Sequence, residues 1–127
     1  MTKTALVVED NNLNLRLFVE ILKLEGMTVL TAEDGIAALE VLERCAPDII
    51  VLDLQLPRLS GLGVARMIRA QRAFELTPII AVSAFAKVSD RSAALKAGCD
   101  HYISKPVAPQ ELVDSVQRHI EMQVAQA

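Results

Sequence analysis

Five short aliphatic runs, separated by segments with helical spacing, constrain this 127-residue chain more than any other feature. The third run is the clearest: Ile49, Ile50, Val51 and Leu52 stand between Pro47 and Pro57 and give way to Asp53. A short unbroken apolar run bounded by breakers suits a central strand covered on both faces. The first run covers Thr4 to Glu9 and is followed by Asp10, and the second covers Met27 to Thr31. The fourth, Ile79 to Val82, ends at Ser83, and the fifth, Cys99 to Ile103, ends at Ser104-Lys105-Pro106.

Helices fill the intervals. Asn11 or Asn12 caps a first helix with Leu13, Leu17, Ile21 and Leu24 at helical spacing, and Gly26 stops it. Asp34-Gly35 opens a second, to about Arg44, with Ile36, Leu39 and Leu42 on one face. Ser60-Gly61 leads into a third, roughly Leu62 to Gln71, and a fourth runs from Ser89 or Asp90 to Ala97 before Gly98. Pro109 suits the first turn of a last helix, whose buried face is Leu112, Val116 and Ile120. This alternation predicts an α/β fold: a flavodoxin-like, doubly wound (βα)5 domain with a parallel five-stranded sheet and strand order 2-1-3-4-5. Residues 1–127 read as one domain with no output domain, and nothing in the chain reads as a repeat or long linker.

Composition removes several classes of function. Hydrophobic residues are 52% and charged residues 23%, which excludes a disordered chain. Thirteen basic against sixteen acidic residues, net −3, argue against nucleic-acid binding. Arg66, Arg69 and Arg72, spaced at three, read as a solvated helix face. Cys45 and Cys99 lack metal-like spacing and read as reduced, mostly buried residues of a cytoplasmic protein. No apolar run approaches the ~18 residues of a membrane span, and the first residues lack a signal-peptide core.

The predicted strand order puts the first and third strands side by side, so Glu9, Asp10 and Asp53 converge on the rim where ligands of such sheets bind. Ser83 and Lys105 end the fourth and fifth strands on the same rim. At ~5 Å and an effective dielectric near 20, each pair of carboxylates repels by about 3 kcal/mol. A hard divalent cation such as Mg²⁺ relieves that repulsion. Lys105 and Ser83 suit a phosphoryl group, and an aspartate can be the nucleophile that accepts one. The chemistry read from the rim is phosphoryl transfer onto a carboxylate.

Glu9-Asp10, Asp53 with Pro57 four and Gly61 eight residues on, Ser83-Ala84 and Lys105-Pro106 resemble the receiver domain of bacterial two-component response regulators. The resemblance spans nearly the whole chain. It implies that Asp53 is the phosphoacceptor and that Glu9, Asp10, Asp53 and the main-chain carbonyl of Gln55 hold Mg²⁺. Lys105 would contact the phosphoryl group, Ser83 would move to hydrogen-bond it, and Tyr102 would be the switch aromatic that follows Ser83. Glu9 stands where the family commonly has Asp, which leaves direct and water-mediated metal contact both open. Gln55 and Phe85 would flank the phosphoryl group, with Phe85 restricting water and slowing self-dephosphorylation. Val-Glu-Asp-Asn-Asn-Leu-Asn, Ser-Ala-Phe-Ala and Tyr-Ile-Ser-Lys-Pro further resemble stand-alone receivers of the DivK type, wording that receivers of hybrid histidine kinases share.

The implied partners are a histidine kinase or histidine phosphotransfer protein upstream. Downstream, a protein would contact the face of the fourth helix, fifth strand and fifth helix, roughly Lys87 to Gln117. The only reactions implied are self-catalysed phosphotransfer and dephosphorylation, so the chain is not read as an enzyme. Rival sites fail on particular residues. A flavin-phosphate loop does not tolerate Glu-Asp-Asn-Asn, a haloacid-dehalogenase-type phosphatase needs Asp where Gln55 stands, and an EF-hand needs Gly at Leu15. A constitutive interaction module that keeps the fold without phosphorylation remains the alternative from another class.

Overall fold

The structure, a computed structural model, describes residues 2–85 and 87–126. Met1, Ala127 and Ala86, the last residue of the Ser-Ala-Phe-Ala wording, lie outside the described residues. Five strands alternate with five helices: β1 Thr4–Val8, α1 Asn12–Leu24, β2 Thr28–Ala32, α2 Gly35–Arg44, β3 Ile49–Asp53, α3 Gly61–Arg69, β4 Ile79–Ser83, α4 Val88–Lys96, β5 His101–Ser104 and α5 Pro109–Gln126. A 3-10 turn, Arg72–Phe74, follows α3. All pairings are parallel and the order is β2-β1-β3-β4-β5, as the alternation predicts.

The helices start where short polar side chains can serve free amides. Asn11 Oδ1 accepts from the Asn14 N–H at 3.0 Å, Asp34 Oδ1 from the Ala37 N–H at 2.8 Å, and Ser60 Oγ from the Gly63 N–H at 3.1 Å. Side chains alternate across the sheet and divide the core in two. Leu6, Val8, Ile50, Leu52, Ile79 and Ala81 face α2, α3 and α4 through Ala38, Leu42, Val64, Ile68 and Ala94. Ala5, Val7, Ile49, Val51, Ile80, Val82 and Ile103 face α1 and α5 through Phe18, Leu22, Leu112 and Val116. β3 is buried along its whole length, as its unbroken apolar run requires.

Several expectations are corrected. The sheet-facing side of α1 is Phe18, Ile21 and Leu22, whereas Leu13 and Leu24 are 77% and 85% exposed and Leu17 is also open. On α2 Leu42 is buried and Leu39 packs against the core as expected, but Ile36 points to solvent, and Gly35 and Ala38 complete the buried face. Ile21 and Leu42 belong to both the expected and the observed faces, which otherwise lie side by side on each helix. Cys99 is buried, and burial above all pushes its thiol up to about 12, but Cys45 is exposed.

Arg69 is no solvated residue. Its guanidinium donates to the carbonyls of Gly98, Phe74, Glu75 and Thr77 and to the Asp100 carboxylate, at 2.7–3.1 Å. It ties the end of α3 to the approaches of β4 and β5. Gly98, at φ +111, takes a backbone conformation that other residues rarely adopt, and a Cβ there would stand 3.1 Å from the Arg69 side chain.

At the opposite end of the sheet from the Asp53 rim, Lys3, Leu22, Met27, Val113, Val116 and Ile120 border an open groove of about 590 Å³ between α1 and α5. Among the described residues no helix is long and apolar enough to cross a membrane.

Candidate functional site

Strand register delivers the charged residues to one place. Val8 pairs with Leu52 and Asp53 with Val82, so Glu9 and Asp53 follow directly on paired apolar positions. Glu9 continues the series Ala5–Val7, Asp53 the series Ile49–Val51, and Lys105 the position of Ile103, all toward α1 and α5. Ser83 continues Ile79–Ala81 and shares the opposite face with Tyr102. The rim is thus a set of charges on one side of the sheet and a hydroxyl and a phenol on the other.

Gly61 lets the next helix begin against the acid. A Cβ at that position would stand 2.4 Å from the Leu54 Cα and 2.6 Å from the Asp53 carbonyl oxygen, so a side chain would push α3 off the end of β3.

Glu9 and Asp53 are buried and Asp10 is exposed, and each offers an oxygen within 4.8 Å of the others'. The Lys105 ammonium lies between the two buried acids, 3.0 Å from Glu9 Oε1 and 3.3 Å from Asp53 Oδ2. Asp53 Oδ1 accepts the main-chain N–H of Gln55 at 2.9 Å. Burial, followed by the adjoining Asp53 carboxylate, pushes Glu9 up to about 7 against the opposing pull of Lys105. Burial acts on Lys105 in the other direction, but its hydrogen bond to Glu9 and the charge of Asp53 outweigh it and hold the ammonium above its ordinary range. One ammonium faces three carboxylates, and the most buried acid resists ionising. That donor set, all hard oxygen and short of positive charge, fits Mg²⁺.

On the other side, Ser83 Oγ accepts the Phe85 N–H at 3.1 Å, and the hydroxyl of buried Tyr102 donates to the Phe85 carbonyl. Gln55 reaches across from the β3–α3 loop, where its Oε1 accepts the Ala84 N–H at 2.7 Å. Gln55, Ser83, Phe85 and Tyr102 help to line a cavity of about 160 Å³, while the Phe85 side chain is 56% exposed.

The expected rim residues therefore meet as two groups. Glu9, Asp10, Asp53 and Lys105 form one, whereas Ser83 and Tyr102 both bond the Phe85 backbone. The bridge made by the Gln55 side chain was not foreseen; its place two residues past Asp53 was the only sequence signal.

Comparison with known proteins agrees with this arrangement. The family model of the response regulator receiver domain matches residues 5–117. The chain belongs to the response regulator receiver domain family of two-component signalling, whose members are signalling proteins rather than true enzymes. Within that family it is DivK-like. The polar-differentiation response regulator DivK of Brucella ovis is 34% identical over 120 residues, covering 94% of this chain and 98% of that protein.

Two solved structures are similar throughout. The receiver domain of the sensor histidine kinase PA1611 from Pseudomonas aeruginosa, with magnesium coordinated in its active-site cleft, is 38% identical with a TM-score of 0.88. The match covers 95% of this chain and 99% of that one. A CheY-like receiver domain protein from Methanospirillum hungatei is 26% identical with a TM-score of 0.93, each chain covered completely.

Proposed function

We propose that this chain is a phosphoacceptor response regulator that takes a phosphoryl group from a histidine kinase or histidine phosphotransfer protein onto Asp53. The observation that carries the reading is the Asp53 carboxylate itself. It is buried, held at one oxygen by the Gln55 N–H and at the other by Lys105, beside two further acids. Those contacts aim a carboxylate that would otherwise rotate. In transfer, a carboxylate oxygen of Asp53 bonds to phosphorus as the bond from phosphorus to the donor's imidazole nitrogen breaks. The imidazole leaves with the electron pair and takes up a proton. Mg²⁺, held by Glu9, Asp10, Asp53 and the main-chain carbonyl of Gln55, would neutralise charge on the transferring group.

Lys105, protonated throughout, turns from Asp53 to the new phosphoryl oxygens. Ser83 gives up the Phe85 N–H and donates its hydroxyl to the phosphoryl group, and because Tyr102 bonds the same Phe85 backbone, the change passes to β5. Output runs through protein contacts on α4, β5 and α5, without nucleic acid or membrane, in the cytoplasm. In this reading residues 1–127 act as one receiver domain, of a kind found both in DivK and in a sensor histidine kinase.

One observation favours a second reading. Tyr102 is buried on the Phe85 carbonyl while Ser83 is still engaged with the Phe85 N–H, which suits a partner face set without phosphorylation. Intact mass after incubation with acetyl phosphate and Mg²⁺ separates the two. A gain of one phosphoryl group that Asp53→Asn abolishes is the expected result; no gain across pH and metal concentration overturns the phosphoacceptor reading.

A further inference from the structure

Both of the chain's histidines come together in the fold. His101 opens β5, and His119 stands on α5, which covers that side of the sheet. Their ring centroids are 5.6 Å apart, with the planes tilted by 38°. His119 is buried, and its Nδ1 lies 2.7 Å from the Ser115 carbonyl one helical turn back. A carbonyl oxygen only accepts, so Nδ1 carries a proton and, in the neutral ring, Nε2 keeps its lone pair. A backbone carbonyl placed in this way fixes the tautomer and orientation of many metal-ligating histidines. His101 is half-buried. Burial first, then the His119 ring and the guanidiniums of Arg91 and Arg118, hold it below the ordinary histidine range, against the pull of Glu111. It is therefore uncharged at neutral pH and offers a nitrogen lone pair of its own.

Two imidazoles bound to one tetrahedral ion, with ~2.1 Å from metal to nitrogen, have centroids roughly 5 Å apart. The two rings are already close to that separation, and small side-chain rotations would close the rest. Imidazole suits the borderline ions Zn²⁺, Ni²⁺ and Cu²⁺, whereas Mg²⁺ takes oxygen. The two ends of β5 thus differ in kind. His101 pairs with Ile80 at the start of the strand, about 13 Å along the chain from Lys105 at the acid rim. We propose that His101 and His119 form a site for a borderline transition-metal ion such as Zn²⁺, which clamps α5 to β5 on the face read as the partner surface. The site is independent of phosphoryl chemistry at Asp53. Arg91 and Arg118 oppose a cation there and Glu111 favours one, and two protein ligands leave the other positions to water. The affinity is accordingly micromolar rather than that of a closed four-ligand site. Because protonated imidazole binds no metal, the site weakens as pH falls below about 6.5.

Calorimetric titration of the whole chain with Zn²⁺, at neutral pH in excess Mg²⁺, tests this. The expected result is one ion per chain at micromolar affinity, weakened about tenfold or more by His101→Gln and by His119→Gln. Raising Mg²⁺ further, or Cys45→Ser, should leave the affinity unchanged. In the parent, Zn²⁺ should also move the ring-proton resonances of both histidines together. That readout needs no variant, so it decides the matter even where a substitution unfolds the chain. Absence of saturable binding, undiminished binding in either histidine variant, or a response from only one ring overturns the inference. So does displacement of Zn²⁺ by Mg²⁺, which would put the ion on the acid rim, or its loss in Cys45→Ser, which would put it on the exposed thiol.

Discussion

Glu9 is wholly buried beside Asp53, and the folded, metal-free chain holds its proton to about pH 7, where an unfolded chain releases it near 4.5. A group whose proton the fold retains favours the fold most at low pH. Its contribution is complete below about 4.5 and is lost as pH rises through about 7, on the order of 3 kcal/mol for a shift of this size. Urea denaturation without metal should show the parent losing stability relative to Glu9→Gln between pH 4.5 and 8; parallel curves would refute the buried-proton account. Because a cation must displace that proton, Mg²⁺ should bind more tightly as pH rises through 7.

Lys105 gives a second expectation at this scale. Its ammonium lies among the acids, so Lys105→Ala should still take up phosphoryl from acetyl phosphate, though poorly, and yet fail to control its partners. Full partner control by that variant would refute the role given to Lys105. These residues were legible in the sequence because each is an ionisable side chain closing an apolar run. The Gln55 bridge was not, since an uncharged side chain two residues past a strand says nothing of which loop it will cross to.

Arg69 acts between elements. Its single side chain, at the end of α3, gathers carbonyls from the turn before β4 and from the turn before β5. Only a planar guanidinium offers enough donors in that geometry. Arg69→Lys should therefore cost about 2–3 kcal/mol in urea denaturation with an unchanged m value, the range for hydrogen bonds to a half-buried charge. A loss below 0.5 kcal/mol would show the cluster to be decorative. The sequence hid this residue, because three arginines at a spacing of three look alike until backbone from 29 residues away arrives at one of them. The faces of α1 and α2 were hidden for a related reason. Each helix carries apolar residues on neighbouring lines, and periodicity does not say where the buried face is centred: Ile21 and Leu42 are buried as expected, but the faces turn toward Phe18 with Leu22 and toward Ala38. Element order and the caps at Asn11, Asp34 and Ser60 needed no such information and were readable residue by residue.

For the molecule as a whole, strand order decides where chemistry can occur. Parallel strands all end at one rim, and the order β2-β1-β3-β4-β5 puts the two acid-bearing strands in contact. That much followed from alternation alone. The division of the rim into a charged side and a hydroxyl side needed the register, because a shift of one residue would exchange the two.

The groove between α1 and α5 has a further meaning. Thr2, Lys3 and the second half of α5 meet there, so the chain enters and the last helix descends at the pole away from Asp53. A tether at either end would hold the domain like a lamp on its stem, with the acid rim turned outward. Immobilised through its first or its last residues, the chain should load phosphoryl at the rate it shows when free, measured by phosphate uptake on a sensor surface. Loss of uptake on one anchoring and not the other would show that the two ends are not equivalent. The same geometry explains how one such domain can serve on its own, as in DivK, or as part of a sensor kinase, as in PA1611, with its reactive end open to a visiting donor.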